Sequence, residues 1–60
     1  MKLKIEINLD NDAFQPDYTP EVQRILEHLI VMLDPYMLKD HAYIMRDSNG
    51  NNVGEAKLEE

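Results

Sequence analysis

Leu3, Ile5, Ile7 and Leu9 alternate with Lys2, Lys4, Glu6 and Asn8 along the first ten residues. A strict period of two places one row of side chains on each side of a pleated strand. One face then meets a core and the other meets water. Such a strand suits an antiparallel sheet with one wet side. Residues 10–18 lose this pattern. Asp10, Asn11, Asp12, Pro16 and Asp17 break regular structure. Phe14 is the large apolar exception in this loop, and it is expected to fold back over the start of the following helix.

Thr19-Pro20-Glu21 opens that helix. Thr19 is a capping residue, Pro20 suits the first helical position, and Glu21 complements the positive first turn. Val22, Ile25, Leu26, Leu29, Ile30 and Leu33 recur at spacings of three and four, the stripe of a helix with one apolar side. Pro35 disfavours helical geometry at Asp34, so the helix should stop near Leu33. A second period-two region follows from His41 to Arg46. After a turn at Asp47 to Asn51, a third runs from Asn52 to Glu59. Asn49-Gly50 between two strands is a strong hairpin signal, because both residues tolerate positive φ. A two-residue turn would pair Met45 with Gly54 and Tyr43 with Ala56. Tyr43, Met45, Ala56 and Leu58 would share one face. Ala42, Ile44 and Val53 would lie on the other with Arg46, Glu55 and Lys57. A three-residue bulged turn would shift the pairing by one. The first register separates apolar from polar residues more cleanly. The expected fold is therefore α+β, in the order β-α-β-β: a three-stranded sheet, antiparallel or mixed, with one helix packed on one face.

The chain has 60 residues and no cysteine. A chain this short forms one domain, residues 1–60, whose core alone supplies no more than roughly 3–5 kcal/mol. Disulfides and thiolate metal sites are excluded, so tight packing or self-association is expected to supplement the core. Twelve acidic residues against six basic ones give a formal charge of −6. That balance argues against direct nucleic-acid binding, which needs clustered Lys and Arg, and against anionic membrane surfaces. No signal peptide and no run of about 20 apolar residues is evident. A cytoplasmic protein is expected.

Candidate chemistry is sparse. Asp47-Ser48-Asn49-Gly50-Asn51 begins like a calcium loop, but the positions that need Gly and Glu hold Asn52 and Leu58. His28 and His41 have no second ligand at metal spacing, and no nucleophile triad or phosphate-binding glycine loop occurs. Neither a catalytic residue nor a cofactor or metal site is assigned. An enzyme is not expected, since it would need a pocket lined by His28 or His41. Two surfaces stand out instead. From Leu29 to Leu38 only Asp34 is charged. Val31 and Met32 fall outside the helix stripe, and Tyr36, Met37 and Leu38 follow. These residues either close the core or form an exposed apolar patch, with Val31, Met32, Tyr36 and Met37 as partner-binding residues. A symmetric homodimer through this patch would compensate for the small core. The second surface is an acidic cluster of Asp10, Asp12, Asp17 and Glu21, the kind of group an acidic nucleic-acid mimic would use.

Three stretches also carry a resemblance. They are Lys4-Ile5-Glu6-Ile7 through Asn11-Asp12-Ala13-Phe14, Glu21-Val22-Gln23-Arg24-Ile25-Leu26, and Arg46-Asp47-Ser48-Asn49-Gly50-Asn51-Asn52-Val53-Gly54. They resemble a family of short, mostly uncharacterised bacteriophage and prophage proteins that end in an Arg-Asp-x-Asn-Gly-Asn-x-Val-Gly hairpin. Those proteins usually carry Leu where this chain has Met45, which implies an inward Met45. They tend to be polar where this chain reads Leu29 to Leu38. The resemblance implies a phage-related origin and no particular activity. The expected function is a small acidic protein-binding module in the host bacterial cytoplasm, an inhibitor of a host or anti-phage defence protein. The alternative is an acidic mimic that blocks a nucleic-acid-binding groove of a host enzyme.

Overall fold

A computed structural model describes all 60 residues. Strand β1 (Lys2–Ile7) leads through a short 3-10 turn (Asp12–Phe14) to helix α1 (Thr19–Met32), then to β2 (Tyr43–Arg46) and β3 (Asn52–Glu59). The sheet order is β1-β3-β2, and both pairings are antiparallel. The α+β, β-α-β-β architecture expected from the chain is the one observed. The long strand β3 is central because it pairs on both sides. Ala56 lies between Ile5 and Tyr43, and Gly54 lies between Ile7 and Met45.

The hairpin combines two devices. Gly50 N–H donates to the Asp47 carbonyl and Asp47 N–H donates to the Asn51 carbonyl, both at 3.0 Å. The loop is thus the three residues Ser48-Asn49-Gly50, and only Gly50 takes positive φ, at 84°. A three-residue loop alone would slip the strands by one residue. The slip is undone at once: Arg46 faces Asn52 while Met45 faces Gly54, leaving Val53 as an extra, bulged residue. The body of the hairpin therefore keeps the register expected for a two-residue turn, and Met45 points inward. Val53 corrects the sequence-based expectation. The bulge rotates it off the wet face and buries it.

Helix α1 also departs from expectation at its ends. Thr19 does not cap it. Asp17 accepts the Thr19 N–H through Oδ1 at 2.9 Å, a bond that holds the Asp17 carboxyl below its ordinary range. At the other end Leu33 turns to extended geometry (ψ 125°) just ahead of Asp34-Pro35. Asp34 Oδ1 then accepts the N–H groups of Tyr36 and Met37, which winds the following segment into turns.

The core consists of Phe14, Ile25, Leu29, Leu38, Met45, Val53 and Ala56, with Ile7, Leu9, Val22, Met37 and Tyr43 packed around it. Phe14 does fold back onto the helix and is 1% exposed. Ile30 and Leu33, expected in the buried stripe, face water instead. The accessible surface is 4572 Å². A compact protein of 7.0 kDa should expose roughly 4,000 Å². The excess fits the elongated shape, 35 × 20 × 17 Å, and the apolar residues left outside.

Gly54 sits where a Cβ would run into the backbone carbonyl of Glu6 on β1, whereas a Cβ on Gly50 would meet open space. Gly54→Ala should cost about 3 kcal/mol or more. Gly50→Ala should cost only the positive-φ penalty, about 1–2 kcal/mol. Urea midpoints of the two variants check this order, and a Gly50 variant weaker than the Gly54 variant would contradict it.

Candidate functional site

The helix start and the hairpin turn are joined by a small buried polar network. Glu21, in the first turn of α1, is mostly buried, as is Asp47 at the hairpin loop. Arg24 lies one turn along, so its guanidinium reaches the Glu21 carboxylate with both arms, Nε to Oε1 at 3.1 Å and Nη2 to Oε2 at 2.9 Å. Glu21 Oε2 also accepts the Ser48 N–H at 2.7 Å, and Arg24 Nη2 donates to the Arg46 carbonyl at 3.0 Å. Asp47 Oδ1 accepts the N–H groups of Asn49 and Asn51, both at 2.9 Å. Its Oδ2 accepts the side-chain amides of Asn11 and Asn51.

These bonds set the electrostatics. The Arg24 side chain holds the Glu21 carboxyl below its ordinary range, helped by the Ser48 amide and opposed by burial. The Asn51 amide does the same for Asp47, with the side chains of Asn11 and Asn51 assisting. Glu21 in turn raises Arg24. Asp47 is surrounded by N–H donors, which stabilise its anion by the same dipoles that would repel a cation. No group of three or more His, Asp or Glu side chains gathers where a metal ion could be held.

The sequence-predicted site residues fall into different places. Val31 is 81% exposed and Tyr36 75% exposed; Met32 is half exposed. Met37 is half-buried against the core, and Leu38 is fully inside. The 36–38 segment thus closes the core with Met37 and Leu38 while presenting Tyr36 outward. Ile30, at 72% exposure, and Leu33 join the exposed set. In the acidic cluster, Asp10, Asp12 and Asp17 lie exposed. Glu21 leaves the group: its carboxylate is held inside by Arg24 and Ser48 and is not offered to a partner.

A further apolar feature lies at the same end of the molecule as the helix terminus. Glu21 and Arg24 reach Ser48 and Arg46, while the His28 ring stacks on Tyr43 with centroids 6.5 Å apart. Helix α1 therefore runs back along β2. The four residues after His28 advance about 6 Å further, past the row Tyr43–Ala56–Ile5 and towards the pair Leu3–Leu58. Leu3 and Leu58, on the helix side of the sheet, are each about half exposed. Periodicity identified them as inward. The helix is too short and too close to β2 to cover them.

One open cleft of about 470 Å³ separates α1 from β2, lined among others by Arg24, His28, Tyr43, Ile44, Arg46 and Ser48. Sequence reasoning did not find it, because it arises where the helix leans on the short edge strand. His28 lines it and His41 does not. The His28 ring stacks on that of Tyr43 at the mouth of this cleft. No helix is long and apolar enough to cross a membrane. Comparison with protein-family models, curated proteins and solved structures returns no match.

The two depressed carboxyls of this buried network, Glu21 and Asp47, give a pH signature. A group whose folded pKa lies below its unfolded value stabilises the fold above the unfolded pKa. That contribution is lost as pH falls through the folded one. Stability to urea should thus be level above about pH 5 and decline as pH drops below the ordinary values of 4.5 for Glu21 and 3.8 for Asp47. In Glu21→Gln and Asp47→Asn the decline should be shallower, with lower stability at neutral pH. An acid limb as steep as that of the parent chain would show that these carboxylates are not responsible.

Proposed function

We propose that this chain is a small protein-binding module of phage type, acting in the host bacterial cytoplasm as an inhibitor of a host or anti-phage defence protein. The observation that carries the reading is the apolar end of the molecule. Ile30, Val31, Met32, Leu33 and Tyr36 stand exposed together around the end of α1. A soluble chain rarely leaves its largest apolar patch unused. Methionine and tyrosine at its margins suit a surface that adapts to a partner and anchors it. The phage assignment rests on the resemblance of the Arg46–Gly54 hairpin, which here builds the network that holds the helix in place. The acidic-mimic alternative keeps Asp10, Asp12 and Asp17 but not Glu21, so its charge is spread thinner than the sequence suggested.

Val31→Glu and a triple change of Asp10, Asp12 and Asp17 to Lys separate the two readings. Val31 is almost fully exposed, so its replacement should shift stability by less than about 0.5 kcal/mol. A partner recovered from host lysate with the parent chain, then purified, should bind Val31→Glu at least about 100-fold more weakly, a loss of roughly 2.7 kcal/mol. The triple change of Asp10, Asp12 and Asp17 to Lys should leave that affinity within a few-fold. Calorimetric titration measures both. The reverse pattern, with loss in the triple variant and none in Val31→Glu, would establish the mimic.

A further inference from the structure

Strand β1 forms one edge of the sheet, and its outer side is chemically specific. Asn8 N–H donates to the Val53 carbonyl, and antiparallel pairs alternate along a ladder. Lys2, Lys4 and Glu6 therefore direct their backbone groups to β3, while Leu3, Ile5 and Ile7 direct theirs outward. The edge is six residues long, with no proline and no bulge, so its guards against strand pairing are the charges of Lys2, Lys4 and Glu6. The opposite edge, β2, has only four residues, and its pairing is interrupted beside Arg46 by the Val53 bulge of β3. The charged face of β1 is also unbalanced. Glu6 lies directly across from Glu55, and Lys4 across from Lys57. Lys57 lies 3.5 Å from Glu55 and Lys4 3.7 Å from Glu59, but Glu6 has no ion-pair partner. On the helix side, Leu3 and Ile5 remain 49% and 42% exposed.

We propose that β1 pairs antiparallel with β1 of a second copy of this chain, Ile5 against Ile5, to form a continuous six-stranded sheet. Three registers engage the outward N–H and C=O groups of at least two residues of each β1. Charge separates them. Centring the pair on Lys4 sets Lys4 against Lys4, although it also sets Lys2 against Glu6 twice, and centring it on Glu6 sets Glu6 against Glu6. Centring it on Ile5 sets Lys4 of each copy against Glu6 of the other, twice, and Leu3 against Ile7. Leu3, Ile5 and Ile7 then each exchange two backbone hydrogen bonds across the axis. The unpaired Glu6 gains a lysine, and the half-exposed aliphatic row on the helix side continues into its symmetry mate. Of the three registers, only the one centred on Ile5 sets no like charges against each other, and this self-complementarity singles out a second copy as the occupant. This pairing is independent of the partner surface at the end of α1.

Reversal of one charge per chain tests it. Lys4→Glu places glutamate against Glu6, and Glu6→Lys places lysine against Lys4. Both cross-strand pairs change sign, so either variant should dimerise about tenfold more weakly. Mixed together, the two variants restore both Lys–Glu pairs, and heterodimer should form with about the parent's affinity. Sedimentation equilibrium from about 10 µM to about 1 mM would read the rise in mass from 7.0 kDa towards twice that value, over the range of a weak to moderate complex. The parent chain supplies a readout that needs no variant. Amide exchange of Leu3, Ile5 and Ile7 should slow as concentration rises, while Lys4 and Glu6 are protected throughout. A parent monomeric across the whole range would overturn the proposal. So would dimerisation indifferent to both reversals, reversed variants that fail to associate when mixed, or edge amides whose exchange ignores concentration.

Discussion

The carboxylates of Glu21 and Asp47 hold this small domain's parts in register. Each satisfies groups that the local backbone leaves open. Asp47 closes its own loop and draws in Asn11 from the segment before the helix. Glu21 binds Arg24 on its own helix and Ser48 on the loop. Three segments distant in sequence thus meet at two side chains. Buried ionised groups are costly unless bonded, and here every buried side-chain polar atom has a partner. The same bonds that compensate for burial specify where the helix begins relative to the hairpin.

That attachment decides what stays uncovered. Helix α1 is pinned at its first turn and runs back along β2, so it shields Met45, Val53 and Ala56 and leaves the β1 side of the sheet thinly covered. Leu38, Met37 and Phe14 fill gaps that the helix leaves. Ile30, Val31 and Leu33 around the end of the helix and Leu3, Ile5 and Leu58 on the sheet have no third layer to enter. Covering them would contribute roughly 25 cal/mol per Å² of apolar surface removed from water, and a small core benefits from such burial. The end of α1 and the edge of β1 offer two separate routes. One is built from side chains that adapt; the other is built from backbone groups whose register is chosen by Lys4 and Glu6.

Hydrophobic periodicity made the elements legible. The alternation from Leu3 to Leu9, the spacing from Val22 to Leu29 and the turn residues around Gly50 are local patterns, and each produced the element it implied within a few residues. Phe14 was legible as well, since a large apolar side chain in a polar loop has little alternative to folding inward. The preferred hairpin register held, because Tyr43 and Met45 could face the core in that register alone.

What the tertiary structure decided was which members of each pattern are covered, and by what. Nothing local distinguishes Ile30 from Leu29 as a core residue; the direction from which the sheet approaches does. Glu21 looked like one of several loop-side acids until Ser48, 27 residues away, supplied the amide that holds it inside. Val53 alternated as a wet-face residue until a three-residue loop required a bulge to recover the register. The cleft beside His28 and the free edge of β1 exist only once strand order and helix position are set. Periodicity reports the face of a single element, so the chain by itself determined the helix, the strands and the turn. Burial and charge partners depend on contacts between elements, so only the folded arrangement decided which surfaces were left uncovered.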